Sequence, residues 1–269
     1  MIDFTEKQLE RYSRHILLQD VGVEGQEKIM KSRVLVIGVG GLGSPIAFYL
    51  AAAGVGQLGL IDNDVVDLSN LQRQILHSTK DIGNPKVTSA ARKLSSLNPE
   101  INIETYHEYI DVDNISEIIS GYDFVLDGTD NFAAKFLIND ACVMGNIPYS
   151  HGGVLRFFGQ TMTVVPGISS CYRCAFREAP PADAVPSCSE AGILGAITGV
   201  LGTIQATEAL KYITSAGTLL TNTILSFDAK TMDFQKIRLD KQDDCPLCGK
   251  DPIIKELQKG DLPVCVPED

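Results

Sequence analysis

Three sets of residues in this chain have chemistry to offer: a glycine-rich turn, a group of cations and carboxylates that follows it, and two pairs of closely spaced cysteines. Gly38-Val39-Gly40-Gly41-Leu42-Gly43 has the spacing of a phosphate-binding turn. A glycine at Gly38 permits the tight turn, one at Gly40 lets backbone N–H groups approach a phosphate, and one at Gly43 lets a helix lie close to the preceding strand. Asp62 comes 24 residues after Gly38, where an acid that holds ribose hydroxyls belongs. Arg73 and Lys86 are cations close in sequence to the turn, and a planar fork and a point charge both suit a triphosphate. Asp127 and Asp130 close an apolar run, and a carboxylate there can bind Mg²⁺ together with phosphate oxygens. Asp130 has a second possible use as the N-cap of the next helix.

Cys171-Tyr172-Arg173-Cys174 and Cys245-Pro246-Leu247-Cys248-Gly249 are two C-x-x-C knuckles. Together they fit a tetrahedral Cys₄ zinc site that ties the C-terminal segment to the middle of the chain. Such a closed site leaves no open coordination position, so its expected role is structural. Cys142 lies in an apolar helical stretch and reads as a core residue, and Cys265 lies in the tail. Cys188 follows a proline-rich run, Pro180 to Pro186, just ahead of a long helix. A helix N-terminus lowers a thiol pKa, so Cys188 is a candidate reactive thiol as well as an ordinary loop cysteine.

These residues need elements to position them. Arg33 to Ile37 has strand character, and a helical pattern runs from Leu42 to about Ala53 with Leu42, Ile46 and Leu50 on one face. The N-terminus of that helix directs its positive end at a bound phosphate. Leu58 to Ile61 reads as a second strand ending in Asp62, residues 85–97 as a helix with Pro85 at its first position, and Ile101 to Tyr106 as a third strand. Val112 to Ile119 and residues 131–145 read as helices flanking a buried strand that starts at Phe124. Beyond Tyr149 the pattern changes: Gln160 to Val165, Thr223 to Phe227 and Phe234 to Leu239 are short strands around a long helix, Ile193 to Tyr212. Gly152-Gly153 and Pro166-Gly167 read as turns. Residues 5–31 read as an amphipathic helical leader. The expected fold is α/β: a Rossmann-like sheet, parallel in the N-terminal half and extended by antiparallel strands in the C-terminal half.

Composition removes several function classes. The chain has 269 residues, 44% hydrophobic and 21% charged, which is ordinary for a soluble globule. A net charge of −11 makes a nucleic-acid backbone an unsuitable partner. The longest uncharged run, Ala191 to Thr207, is too short and glycine-rich to span a membrane. Met1 to Glu6 has no signal-peptide character, so a cytoplasmic location is expected.

The motifs resemble those of the ThiF/MoeB/HesA adenylyltransferases, relatives of the ubiquitin-activating enzymes, over nearly the whole chain. The matching stretches are Arg11-Tyr12-Ser13-Arg14-His15, the glycine turn through Pro45, and Asp62-x-Asp64 with Ser69-Asn70-Leu71-Gln72-Arg73-Gln74. Gly83-x-Pro85-Lys86, Asp127-Gly128-Thr129-Asp130-Asn131 and Cys188-x-Glu190-Ala191-Gly192 complete the set. The resemblance implies one adenylation domain over residues 1–269: a leader (1–31), a nucleotide-binding half (32–150), a carrier-binding and zinc half (151–250) and a tail (251–269). It implies that ATP and the C-terminal Gly-Gly carboxylate of a ubiquitin-like sulfur carrier give acyl-adenylate and pyrophosphate. The look is closest to the MoeB branch, which acts on MoaD-type carriers for the molybdenum cofactor; ThiF-type activation of ThiS for thiamine is the alternative.

Carried over by position, Gly40 and Gly41 cradle phosphate and Asp62 holds the ribose. Asn70, Arg73 and Lys86 bind phosphate oxygens, Asp130 binds Mg²⁺, and Asp64, Gln74 and Asn131 belong to the same nucleotide-binding motifs. Arg14 resembles an arginine that reaches the neighbouring subunit's ATP site, so a homodimer is implied. Cys188 aligns with a cysteine used for thioester or sulfur transfer in relatives. No rhodanese domain follows the tail, which implies a separate sulfur donor such as a cysteine desulfurase or a rhodanese. The four histidines, His15, His77, His107 and His151, are expected to be structural and satisfied, with no evident partner for the last two. A nicotinamide-dependent dehydrogenase would share Gly38 and Asp62 but leaves Arg73, Lys86, Asp130 and the cysteine knuckles unexplained. A non-enzymatic scaffold has no use for that set of charges, and adenylation of an RNA fits the acidic surface poorly.

Overall fold

In the computed structural model, residues 4–180 and 191–258 are described. Five segments, β1 (Arg33–Ile37), β2 (Gln57–Ile61), β3 (Asn102–Tyr106), β4 (Phe124–Asp127) and β5 (Tyr149–Leu155), pair in parallel. β6 (Phe158–Val164), β7 (Thr223–Asp228) and β8 (Asp233–Arg238) continue the sheet antiparallel to their neighbours. The order is β3-β2-β1-β4-β5-β6-β7-β8. The expected class therefore holds, with the parallel part N-terminal and the antiparallel extension C-terminal.

The central strands are apolar without interruption because both faces are covered. On one face Val34, Val36, Leu58, Leu60, Phe124 and Leu126 pack against helices α4 (Gly43–Ala53), α5 (Lys86–Leu97) and the long α9 (Gly195–Thr214). On the other, Leu35, Ile37, Val125 and Tyr149 pack against α6 (Ile115–Ser120), α7 (Phe132–Met144) and the short α8 (Tyr172–Ala175). Cys142 lies in this second core, fully buried, as expected. Among the described residues no helix is long and apolar enough to cross a membrane.

Several local expectations are corrected. The leader is three helices, α1 (Glu6–Arg11), α2 (Ser13–Ile16) and α3 (Gly22–Lys31), because the chain breaks at Tyr12 to bury its ring against Gly54. The Tyr12 hydroxyl accepts a hydrogen bond from Asn98 Nδ2. Gly152 and Gly153 are not a turn; they lie inside β5, paired with Thr161 and Gln160. A Cβ at Gly152 would sit 2.3 Å from Gln205 Oε1, so this glycine admits the close approach of α9. The turn falls instead at Arg156 and Phe157, where Arg156 takes the left-handed conformation (φ 56°). α5 begins at Lys86 with Pro85 as its N-cap. α6 begins later than expected because the Asp111 carboxylate first accepts the Asp113 and Asn114 amides. The N-cap of α7 is Asn131, whose Oδ1 accepts from Ala134 N at 2.8 Å, so Asp130 is not needed for capping.

Candidate active site

The glycine turn is held by its neighbours. Gly38 has φ 85°, and a Cβ there would meet the Gly128 carbonyl at 2.9 Å. A Cβ on Gly43 would fall 1.9 Å from Gly38 O, so the start of α4 can lie against the turn only as glycine. The Asp62 carboxylate accepts from Val39 N (2.8 Å) through one oxygen and from Asp64 N (2.9 Å) through the other. His77 spans the back of the turn, between Val39 O and Ser89 Oγ, both at 3.0 Å. Burial lowers the His77 pKa, so a neutral ring donates to the carbonyl and accepts from the hydroxyl. α4 has no side-chain N-cap, so the positive end of its dipole is open to an anion, although Ser44 N already donates to Gly40 O at 3.0 Å and Pro45 carries no N–H.

In front of this turn lies a cavity of about 1100 Å³ that crosses the C-terminal ends of the parallel strands and continues onto β5, β6 and β7. Its volume is at the upper end for small-ligand sites. Gly38, Gly40, Gly41, Asp62, Asp64, Arg73, Gln74, Lys86, Asp130 and Asn131 all line it. Lys86, at the start of α5, is buried and reaches Asp64 Oδ2 at 2.8 Å. Burial raises the Asp62 pKa, and Lys86 and the two backbone amides oppose that rise. Arg73 donates to Ser69 O at 3.1 Å, and Gln74 is buried beside Gly40 with its Oε1 unpartnered among the described residues. Asp130 is exposed and has no hydrogen-bond or ionic partner among the described residues.

Other expected site residues lie elsewhere. Gly43 is behind the turn, and Asn70 does not line the cavity, its Oδ1 accepting from Asp67 N at 3.2 Å. Arg14, on α2, is exposed and away from this chain's cavity. Cys188 and Cys265 fall outside the described residues. Asp127 does not face the cavity as its position at a strand end suggested. It is buried beneath it, accepting from Lys135 Nζ (3.1 Å), Thr129 Oγ1 (2.6 Å) and His151 Nδ1 (2.9 Å). Burial pushes the carboxyl up, but Lys135, His151 and Thr129 outweigh it and hold the pKa at about 2. Lys135 also donates to Thr129 O and Gly152 O, at 2.7 and 2.6 Å.

Two further groups that the sequence reading passed over reach the cavity. Tyr172 and Arg173, between the first pair of cysteines, both line it. Arg173 makes a two-pronged pair with Asp140, both bonds 2.7 Å, and stacks over Phe136 at 4.8 Å. Their position between two cysteines was the available signal, since residues inside a knuckle are fixed by it. The four sulfurs converge: Cys171 lies 3.7 Å from Cys245 and 4.0 Å from Cys174, and Cys174 lies 3.4 Å from Cys248. A tetrahedral site with Zn–S bonds of about 2.3 Å requires sulfurs about 3.8 Å apart, so the donor set fits zinc. The four cysteines could hold a metal ion.

The profile of the ThiF family matches residues 12–247. The chain is 46% identical over 243 residues to the SAMP-activating enzyme E1 of Haloferax volcanii, covering 90% of each. It is 41% identical over 259 residues to a sulfur carrier protein adenylyltransferase of Thermus thermophilus, covering 94% of this chain and 96% of that one. Among solved structures, E. coli MccB superimposes with a TM-score of 0.81 at 24% identity over 93% of this chain and 75% of its own, a likeness of fold.

Proposed function

The chain belongs to the ThiF family and is an adenylyltransferase, and on that premise we propose that it activates the C-terminal carboxylate of a ubiquitin-like sulfur carrier. The observation that supports this most directly is the gathering of Arg73, Lys86, Asp62 and Asp130 around one uncapped helix N-terminus, in a cavity that continues past the nucleotide end. The likeness to a sulfur carrier adenylyltransferase supports the class of substrate. A C-terminal carboxylate has a pKa of about 3.5 and is ionised at neutral pH, so no general base is required. One carboxylate oxygen attacks the α-phosphorus of ATP, the bond from that phosphorus to the pyrophosphate oxygen breaks, and the products are acyl-adenylate and pyrophosphate. The protein's part is positioning and charge stabilisation. Asp62 accepts from the ribose hydroxyls, the Gly40 and Gly41 amides cradle phosphate, and Lys86 and Arg73 offset charge on the departing pyrophosphate. Asp130, exposed and without an ionic partner among the described residues, suits Mg²⁺, which would supply further positive charge at the phosphates. Zinc suits the four cysteines and would fix the knuckle that carries Tyr172 and Arg173. Arg14, exposed on α2 near the apolar Leu17 and Leu18, suits a homodimer in which it reaches the partner's nucleotide.

A MoaD-type carrier is the proposed substrate and a ThiS-type carrier the alternative. The test is intact-mass spectrometry of each carrier after incubation with the protein, ATP and Mg²⁺. An AMP adduct on the MoaD-type carrier alone supports the molybdenum-cofactor pathway, and one on the ThiS-type carrier alone the thiamine pathway. No adduct on either, under conditions where ATP binds, overturns carrier activation.

A further inference from the structure

His151 is buried in the cavity wall, 2% exposed, with its ring 4.5 Å from that of Tyr172. One side of the ring is fully engaged. Its Nδ1 faces the Asp127 carboxylate at 2.9 Å, and that carboxylate, held ionised against Lys135, can only accept, so Nδ1 carries the proton. Burial keeps the imidazole neutral. Nε2 is therefore a bare acceptor, and it has no partner among the described residues. A buried acceptor left without a donor is costly, which makes it informative where a ligand cavity adjoins it. Nε2 lies against Gly153 at the cavity wall: a Cβ on that glycine would stand 3.6 Å from Nε2 and 3.8 Å from Gln160 Cγ, and Gly153 and Gln160 both line the cavity.

The place of His151 in the sheet says which substrate supplies the donor. It is paired with Asp127 across β4 and β5, whereas Asp62 directly follows β2, three strands away in the order β2-β1-β4-β5. At about 4.8 Å per strand the two are separated by roughly 14 Å, with the phosphate turn on β1 between them. The N–H and O–H donors of ATP belong to the adenosine, on the Asp62 side. Past the α-phosphate, the donors of an extended peptide tail ending in a carboxylate are its own amides.

We propose that His151 binds the tail of the carboxylate substrate, its Nε2 accepting a hydrogen bond from one of the last two peptide N–H groups where the ring and Gly153 border the cavity. The inference rests on the carrier-activation reading. It makes His151 a substrate-binding residue, with Asp127 and Lys135 behind it as positioning residues that fix the tautomer.

The experiment uses the carrier, MoaD-type or ThiS-type, that accepts AMP. It is made by semisynthesis with the last, or the preceding, peptide N–H replaced by an ester oxygen. Acyl-adenylate formation is measured at saturating ATP for the wild type and for His151→Asn, whose amide still donates to Asp127 but places no atom at Nε2. One ester carrier is expected to lose about tenfold in kcat/KM with the wild type. His151→Asn should lose about tenfold on the normal carrier, keep its KM for ATP, and lose nothing more on that ester. Gly153→Ala, whose methyl would stand 3.6 Å from Nε2 and screen it from the substrate, should reproduce the loss if His151→Asn does not fold. An ester penalty of equal size in wild type and variant, or no penalty with either ester, overturns the His151 inference while leaving carrier activation standing. Failure of the wild type to adenylate any carrier overturns both.

Discussion

Lys86 Nζ and Asp64 Oδ2 lie 2.8 Å apart at the edge of the cavity, and the pair is unequal: the lysine side chain is 7% exposed and the aspartate 62%. The solvated partner holds the buried stem extended without strong desolvation, and a solvent-screened pair of this kind exchanges readily for a phosphate. Lys86→Ala is expected to lower acyl-adenylate formation by at least about 100-fold, the scale of losing a charge-stabilising donor. Asp64→Asn should cost about tenfold or less. ATP–pyrophosphate exchange with carrier present measures both, and a normal rate for Lys86→Ala removes it from the mechanism.

Asp130 and Asn131 are adjacent and should fail in different ways. Asp130 is exposed and unpaired among the described residues, so Asp130→Ala should abolish adenylation with an unchanged melting temperature. Asn131 caps α7, so Asn131→Ala should lose about 1 kcal/mol of stability in urea titration. A destabilised Asp130→Ala protein would return the cap to Asp130.

If Arg14 serves the neighbouring subunit, Arg14→Ala and Lys86→Ala proteins are each inactive alone but recover on mixing. Random reassortment makes half the dimers mixed, and one site in each has both residues, so about a quarter of the sites should work. No recovery after verified subunit exchange places Arg14 outside the partner's site.

The Asp127 carboxyl, at about 2, and the His151 imidazole, below its ordinary value through burial, both bind fewer protons folded than unfolded. Stability from His151 is complete above its unfolded pKa of about 6.5 and is lost as pH falls below it. Stability from Asp127, about 2 kcal/mol, is complete above about 3.9 and is lost as pH falls towards 2. Lys135→Met removes a main compensating charge, so the acid limb in urea titrations should move to higher pH. An unmoved limb would show that this buried pair does not set it.

Zinc analysis of protein purified without chelator should find about one ion per chain. Because Tyr172 and Arg173 sit between Cys171 and Cys174 in the cavity wall, removing the ion should weaken carrier binding as well as lower the melting temperature. No zinc after anaerobic purification would overturn the assignment.

The nucleotide end was legible because its signals are local. A strand, a glycine turn and a helix are contiguous from Arg33 to Ala53, and Asp62, Arg73 and Lys86 follow within one crossover, so spacing alone brought them to one strand edge. Asn70 was misplaced for a related reason: lying among site residues in sequence, it spends its side chain on its own turn. Gly152-Gly153 looked like a turn because glycine pairs commonly are one, and only the nearness of Gln205 shows why the strand needs glycine there.

By itself the sequence determined the sheet class, the phosphate turn with its cations, and the four cysteines, since each depends on residue type at short, fixed spacing. The tertiary structure decided which side chains those elements bury together. Lys135 reaches Gly152 O across 17 residues, and Gln205 Nε2 reaches Asp127 O across 78. The unpaired face of His151 exists only because strand pairing sets it beside Asp127. A buried polar group is satisfied or left open by neighbours that register and helix packing deliver from far along the chain, and no local pattern encodes that.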